Sequence, residues 1–446
     1  MDIAALIPIF GSLFWTLAAF IVALSVIVAV HEYGHYIIGR WCGIHAEVFS
    51  LGFGPQLWSR VDRRGTRWQI AALPFGGYVK FLGDANAASA GADTRTMATL
   101  SPAERRHTMH GAPLWARAAT VAAGPIFNFI LSIIVFSLIF VFSGAPSDKL
   151  VIGSLHDLPG GVGALQGGDE ILAVDGKPTP GWAEFATVAD RLPETASVSY
   201  HVRRGQAELD VAGPFPMPPR AEAVSPGSAA MDVGMQKGDV VTAIDGRPIL
   251  RFADLQAAVE AGQGAPMHLT VWRAGRELAL TLSPRKTDLP KPGGGFETSY
   301  KIGLAGDFFF APILRKVSLT EAVPIAAQQT WTVARTSLSA LWNVAAGQIS
   351  SCNMRGPIGI AETTGQVASQ GMSDFIWFIA VLSTAIGLMN LFPIPMLDGG
   401  HLVFYTYEWA TGRPLPPRAL NIAMTVGLML VLAMMTFGLT NDLICP

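Results

Sequence analysis

His31-Glu32-Tyr33-Gly34-His35 closes a run, residues 3–30, that carries no charged side chain and is long enough to cross a bilayer. On a helix, positions four apart share a face, so His31 and His35 can offer two imidazole nitrogens to one zinc ion. Glu32 then stands beside that ion, where a carboxylate can take a proton from a water the metal has acidified. This is the chemistry of peptide hydrolysis. The bland reading is pore-lining or packing residues that fell into the pattern. Ionisable groups inside a span are costly unless paired or bound to metal, and three within five residues weigh against that reading.

A catalytic zinc takes three protein ligands and keeps one position open, so this motif needs a donor from elsewhere. The candidate lies in Asn390-Leu391-Phe392-Pro393-Ile394-Pro395-Met396-Leu397-Asp398-Gly399-Gly400-His401. Asp398 follows two helix-breaking prolines at the edge of an apolar segment and precedes two glycines. It is placed to turn inward, against the plain alternative of a helix end facing water. His401 is a weaker rival and an expected neighbour.

Half of the 446 residues are apolar and only 14% are charged, which is too apolar for a soluble enzyme of this size. Four charge-free stretches, residues 3–30, 118–147, 375–397 and 419–441, predict four transmembrane helices. The N-terminus has no basic region and no small-residue cleavage site before the motif, so the first span is expected to be retained. Arg40, Arg60, Arg63, Arg64, Arg67, Lys80, Arg95, Arg105, Arg106 and Arg117 lie between the first two spans, whereas Asp2 alone flanks the first. That bias predicts a cytoplasmic first loop, a long segment 148–374 on the opposite side, and both His35 and Asp398 near the cytoplasmic surface. A net charge of −2 argues against nucleic acid as partner. Cys42, Cys352 and Cys445 form no metal-ligand spacing. Cys42 is expected as a thiol, while Cys352 and Cys445 share the oxidising side, where a disulfide is open to them.

HEYGH in a first span with NLFPIPMLDGG in a later one resembles the site-2 protease family of intramembrane zinc metalloproteases, within it the bacterial RseP-like branch (the regulator of sigma-E protease type). Carried across, the resemblance implies His31, His35 and Asp398 as zinc ligands and Glu32 as the catalytic glutamate. Asn390 matches a family position that contacts the substrate backbone, and its amide is also suited to a developing oxyanion. Gly124-Pro125-Ile126-Phe127-Asn128 matches the family's GPxxN element. For Asn128 a helix–helix hydrogen bond and a direct role remain equally open.

A substrate helix hides its carbonyls in internal hydrogen bonds, so cleavage within a membrane requires unwinding and replacement partners. Residues 49–58 and 66–82 are β-prone runs punctuated by Gly52-Phe53-Gly54 and Gly76-Gly77, with Arg63-Arg64-Gly65 between them. They predict a small sheet over 42–83, and the resemblance implies that it dips into the membrane. Its edge could hold a substrate as an added strand, or the hairpin could lack any substrate role. Residues 84–115 read as a mobile cytoplasmic loop.

The segment after the second span repeats itself. Gly168-Asp169-Glu170-Ile171-Leu172-Ala173-Val174-Asp175-Gly176-Lys177-Pro178 returns from Gly238 to Pro248 at an offset of 70 positions, and Arg203-Arg204-Gly205 then aligns with Arg273-Ala274-Gly275. The pattern resembles PDZ domains of the bacterial protease type, implying tandem copies over 148–215 and 216–285 (α+β). Ser225-Pro226-Gly227-Ser228-Ala229-Ala230 precedes the second Gly-Asp, whereas the first copy is shortened there. Two such copies either bind a C-terminus or strand, or act as a sieve against bulky ectodomains, which is the favoured reading. Residues 286–318 read as a linker. An amphipathic helix over 319–350, with Trp331, Leu338, Leu341 and Trp342, is expected at the membrane surface.

The whole is expected to be a polytopic α-helical membrane protein: span 1–41, sheet 42–83, loop 84–115, span 116–147, two PDZ-like domains, and spans 374–398 and 419–441. The expected activity is a zinc-dependent endopeptidase of the bacterial inner membrane, with membrane lipid around it. The resemblance implies single-pass substrates such as a pre-cut anti-sigma factor, and remnant signal peptides. Two competing readings are a non-catalytic PDZ scaffold, and a membrane-anchored zinc protease acting on cytoplasmic loops.

Overall fold

The computed structural model describes residues 3–85, 91–193, 195, 197–290 and 296–444. Its chain forms two units, one of residues 1–139, 319–342 and 354–446, the other of residues 140–318 and 343–353.

In the first unit the apolar N-terminal stretch runs as one helix, Ile3–Trp41, straight through HEYGH. Among the described residues, four helices are long and apolar enough to cross a membrane: Leu13–Trp41, Leu114–Ser143, Met372–Asn390 and Pro417–Ile444. Gly34 lets the first two touch, because a Cβ there would stand 2.6 Å from the Ala123 carbonyl oxygen. Ser132 Oγ donates to Ala380 O (2.8 Å) and Ser383 Oγ to Asn128 O (2.9 Å), joining the second helix to the third. The third ends at Asn390, short of the expected 398, since Pro393 and Pro395 have no N–H to continue it; Asp398 opens a separate helix, Asp398–Thr411. A further helix, Pro357–Gln370, escaped the sequence reading. Its N-terminus is capped from the last span, where the Asp442 carboxylate accepts from Gly356, Ile358 and Gly359 N–H at 2.7–3.0 Å.

The expected sheet is present as Ala46–Val61 and Arg67–Phe81, joined by a turn in which Asp62 Oδ1 accepts from Arg64 and Thr66 N–H. Val48 to Leu51 pair antiparallel with Lys80 to Gly77, and also with Arg67 to Ile70, whose numbers rise together with theirs. The hairpin has therefore folded back on itself, and Gly77–Lys80 becomes an edge. Residues 84–115 are not the mobile loop expected, so far as they are described. Asp93 caps a helix at Thr94–Thr99, a Ser101–Glu104 capping box starts Pro102–Arg105, and Met109 and Ala112 are buried against Tyr36, Ile44 and Phe81. Local caps ordered a segment whose composition alone suggested none. Residues 86–90 lie outside the described residues.

The second unit contains two four-stranded sheets of one topology. In the first the order is Lys177–Pro178, Glu170–Val174, Val198–Arg204, Ala207–Gly213; in the second it is Arg247–Pro248, Val240–Ile244, Met267–Arg273, Arg276–Leu282. Each carries one helix, Trp182–Asp190 or Phe252–Ala261. Asp175-Gly176 and Asp245-Gly246 all have positive φ, as a tight hairpin turn with the strands' twist demands.

The offset is not constant, however. Asp169, fully buried, takes Arg204 in a two-bond fork (2.7 and 2.8 Å), and Asp239 takes Arg273 likewise (2.6 and 2.7 Å). Arg204, not Arg203, is thus the counterpart of Arg273, because the second copy is one residue shorter after its helix. The fork from Arg204, opposed by burial and aided by the Gln166 N–H, holds the Asp169 carboxyl below its ordinary value. Stability from this pair is present above that ordinary value and lost as pH falls through the depressed one. Arg273→Met leaves Asp239 buried and unpaired, and is expected to destabilise the second copy by about 3 kcal/mol. Thermal melting and limited proteolysis of the full chain check this, with cuts confined to the second copy.

Residues 286–318 are not a linker. Arg285–Pro290 pairs with Phe296–Lys301, Leu304–Ala305 with Ala223–Val224 of the second copy, and Phe310–Pro312 with Ile152–Leu155 of the first. Phe309 and Phe310 are wholly buried in the first core beside Phe185 and Tyr200, while Ile302 enters the second. Prolines and glycines suggested a spacer, but the segment pairs in part with itself and in part with one short strand of each copy. Residues 291–295 lie outside the described residues.

The amphipathic helix spans Leu319–Ala345, with Ala322, Ala326 and Ala334 buried and Trp331, Leu338 and Trp342 exposed. Cys42 is a free thiol and Cys352 is disulfide-bonded; Cys445 lies outside the described residues.

Candidate active site and metal centre

The continuous helix through HEYGH puts His31 and His35 one turn apart on one face, and the broken segment Leu391–Leu397 returns Asp398 to meet them. His31 Nε2 and His35 Nε2 are 3.2 Å apart; Asp398 Oδ2 is 3.1 Å from the first, and Oδ1 is 3.5 Å from the second. These separations match the roughly 3.3 Å expected between donors of a tetrahedral zinc with ligand distances near 2.0–2.1 Å.

The surroundings fit the same ion. Asp398 Oδ2 is buried and makes no hydrogen bond, although His31 Nε2 lies close, so the two lone-pair-bearing atoms converge without bonding to each other. On the far side of the rings, His35 Nδ1 donates to the Thr120 carbonyl at 2.9 Å, which leaves Nε2 unprotonated and free to ligate. The Asn128 amide lies 3.2 Å from His31 Nδ1, and its buried Oδ1 has no partner. The amide orientation in which Oδ1 accepts from Nδ1–H satisfies both groups and frees His31 Nε2 as well. Asn128 therefore orients a histidine through its side chain, while its backbone carbonyl serves the helix contact with Ser383. Of the two roles that the sequence left open, the helix–helix hydrogen bond is present, from the second span to His31 of the first.

Gly124 is the functional residue that the reading of the sequence passed over, although its place in GPxxN was the available signal. A Cβ there would collide with His35 Nε2 and stand 2.8 Å from His31 Cε1, so the second helix presents bare backbone to both rings.

Glu32 faces the same cavity of about 220 Å³, together with Tyr78, Asn390, His401 and the three converging donors. Its carboxylate lies beside Val79 of the sheet's edge strand, and its Cγ packs against Gly77. Asn390 reaches the cavity, but its amide N–H donates to Ile386 O at 3.0 Å, the carbonyl one turn back. His401 lines the cavity without joining the converging donors. The structure thus brings His31, Glu32, His35, Asn390 and Asp398 around one space, three of them with metal-binding atoms aimed together.

Known proteins agree with this chemistry. The model of peptidase family M50 matches residues 19–434. A protein of Agrobacterium fabrum named as a zinc metalloprotease is 36% identical over 97% of this chain and 97% of its own length. The regulator of sigma-E protease RseP of Salmonella typhimurium is 33% identical, and that of Escherichia coli 32%, each over 97% of this chain and 99% of its own. With a family match across nearly its whole length, four apolar helices and a donor set suited to zinc, the chain belongs to peptidase family M50 and is an RseP-like, site-2 type zinc metalloprotease.

Proposed function

We propose that this protease cuts the transmembrane segment of single-pass membrane proteins whose outer domain has already been removed, with anti-sigma factors as the main class and remnant signal peptides as a second. The observation that carries the reading is the origin of the donors: His31 and His35 come from inside a continuous apolar helix, so the reacting centre belongs to the membrane layer and not to a soluble domain.

His31, His35 and Asp398 would hold the metal, and zinc there would supply Lewis acidity that makes water easier to deprotonate. Glu32 accepts the proton of the attacking water and returns it to the leaving amine. Asn390, released from Ile386, turns its amide toward the substrate backbone. The edge strand Gly77–Lys80 runs beside Glu32, and that edge takes an unwound substrate as an added strand.

The two repeated sheets are PDZ domains. Their Gly-Asp and Asp-Gly turns, single helix and closing strand support this, and the favoured role is a sieve on the periplasmic side. The concentration of arginines in the first loop supports a cytoplasmic side for the metal centre. Exposed Trp331 and Trp342 suit an interfacial helix in contact with lipid.

The test is cleavage by the purified chain in detergent of a single-pass substrate carrying either a folded ectodomain or a trimmed one, with products mapped by mass spectrometry. Cuts inside the apolar segment of the trimmed form are expected. Cuts confined to polar loops would overturn the intramembrane reading, and equal cleavage of both forms would remove the sieve.

A further inference from the structure

In the second unit, three side chains outside the catalytic cavity converge where the two repeated copies meet their shared closing segment. His156 follows the strand Ile152–Leu155 of the first copy, and its N–H donates to Phe309 O at 2.9 Å. Glu222 precedes Ala223–Val224 of the second copy, and its N–H donates to Ala305 O at 2.8 Å. Asp307 lies in the connection between the two closing strands, Leu304–Ala305 and Phe310–Pro312. Two backbone ladders thus deliver one side chain from each copy to a third on the connector.

One potential ligand atom from each of the three residues lies within 4.8 Å of those of the other two. His156 Nε2 is buried and has no hydrogen-bond partner. Asp307 has one oxygen held by the protein and Glu222 has both, the second by the exposed Lys237. Asp307 Oδ1 accepts the Phe308 N–H at 2.8 Å, and Glu222 Oε2 accepts from Arg220 Nη1 at 2.7 Å. We propose that His156 Nε2, Glu222 Oε1 and Asp307 Oδ2 form a second divalent-cation site, of the zinc class, which clamps the two copies to their common closing segment. One imidazole and two carboxylates, with water completing the shell, are an ordinary donor set for such an ion. The oxygens held by Phe308 and Arg220 orient the other two, as outer partners do in metal sites generally.

One competitor is present. Lys237 Nζ ion-pairs with Glu222 Oε1, but its side chain is 67% exposed and can leave for solvent when the cation arrives. This gives the site a signature that packing alone lacks: removing the lysine strengthens metal binding.

The experiment uses the full chain in detergent with His31→Ala and His35→Ala, which eliminates the catalytic cluster, and equilibrium dialysis against Zn²⁺ with elemental analysis. One equivalent of zinc is expected to remain, to be lost in His156→Gln and Asp307→Asn, and to bind about five-fold tighter in Lys237→Met, the effect of removing one exposed ion pair. Absence of that equivalent, or its persistence in both His156→Gln and Asp307→Asn, overturns the proposal. Melting curves by circular dichroism show whether either variant unfolds. If one does, Lys237→Met decides alone, and unchanged affinity there overturns the site.

Discussion

Glu32→Gln is expected to retain zinc at the level of the intact chain while losing about 10³-fold in cleavage rate, within the range that removal of a general base produces. The exchange keeps the shape of the side chain, and none of the three converging donors belongs to Glu32. Its neighbours also tolerate an amide, since the methylenes still pack on Gly77. What disappears is a group able to take a proton from water. Single-turnover cleavage of a trimmed single-pass substrate, alongside zinc content by elemental analysis, checks both halves. Cleavage within tenfold of the intact chain would remove Glu32 from the role of base. Loss of zinc would instead make it part of the metal's support.

Gly124→Ala is expected to abolish zinc binding and with it cleavage, an outcome opposite to what helix chemistry alone predicts. In an ordinary helix interior that change stabilises by up to about 1 kcal/mol. Here the added methyl would enter the space of His35 Nε2 and press on His31 Cε1. Because Gly34 already packs its bare backbone on Ala123, the two helices have no slack to separate without opening that contact. Asp398→Asn makes a useful comparison, because it removes a charged donor with no clash. It is expected to weaken zinc by more than the roughly 10–100-fold that loss of an outer hydrogen-bond partner costs. If Gly124→Ala binds zinc normally and melts higher, the glycine is only a helix residue and the tight cradle is refuted.

The legible parts of this protein were those written locally. HEYGH carries its geometry in its spacing, since any helix puts His31 and His35 on one face. The four spans follow from uninterrupted apolar runs, and the repeat from identical residues at matching positions. Asp398 could be picked out because two prolines and two glycines mark a chain reversal beside a lone carboxylate.

Other features escaped because their cause lies far away in sequence. Residues 286–318 look like a spacer in isolation, yet part of the segment pairs with itself, and Leu304–Ala305 and Phe310–Pro312 become strand against Ala223–Val224 and Ile152–Leu155. The helix Pro357–Gln370 depends on a cap from Asp442, some eighty residues on. Residues 84–115 carry too few apolar side chains to predict burial, yet Met109 and Ala112 suffice once Tyr36 and Phe81 stand beside them. The pairing of Arg204 with Asp169 became visible only when a buried carboxylate chose its partner by reach instead of by alignment.

The sequence by itself determined the reaction class, the membrane setting and the pairing of His31 with His35 on one face, because metal-ligand spacing and apolar length are properties of a single helix. Tertiary structure alone decided that Asn128 and Thr120 free the ligating nitrogens, that Gly124 makes room for both rings, and that one closing segment serves both repeated copies. Those outcomes depend on contacts between distant segments, where packing and the need to satisfy buried polar groups, not local periodicity, select the partner.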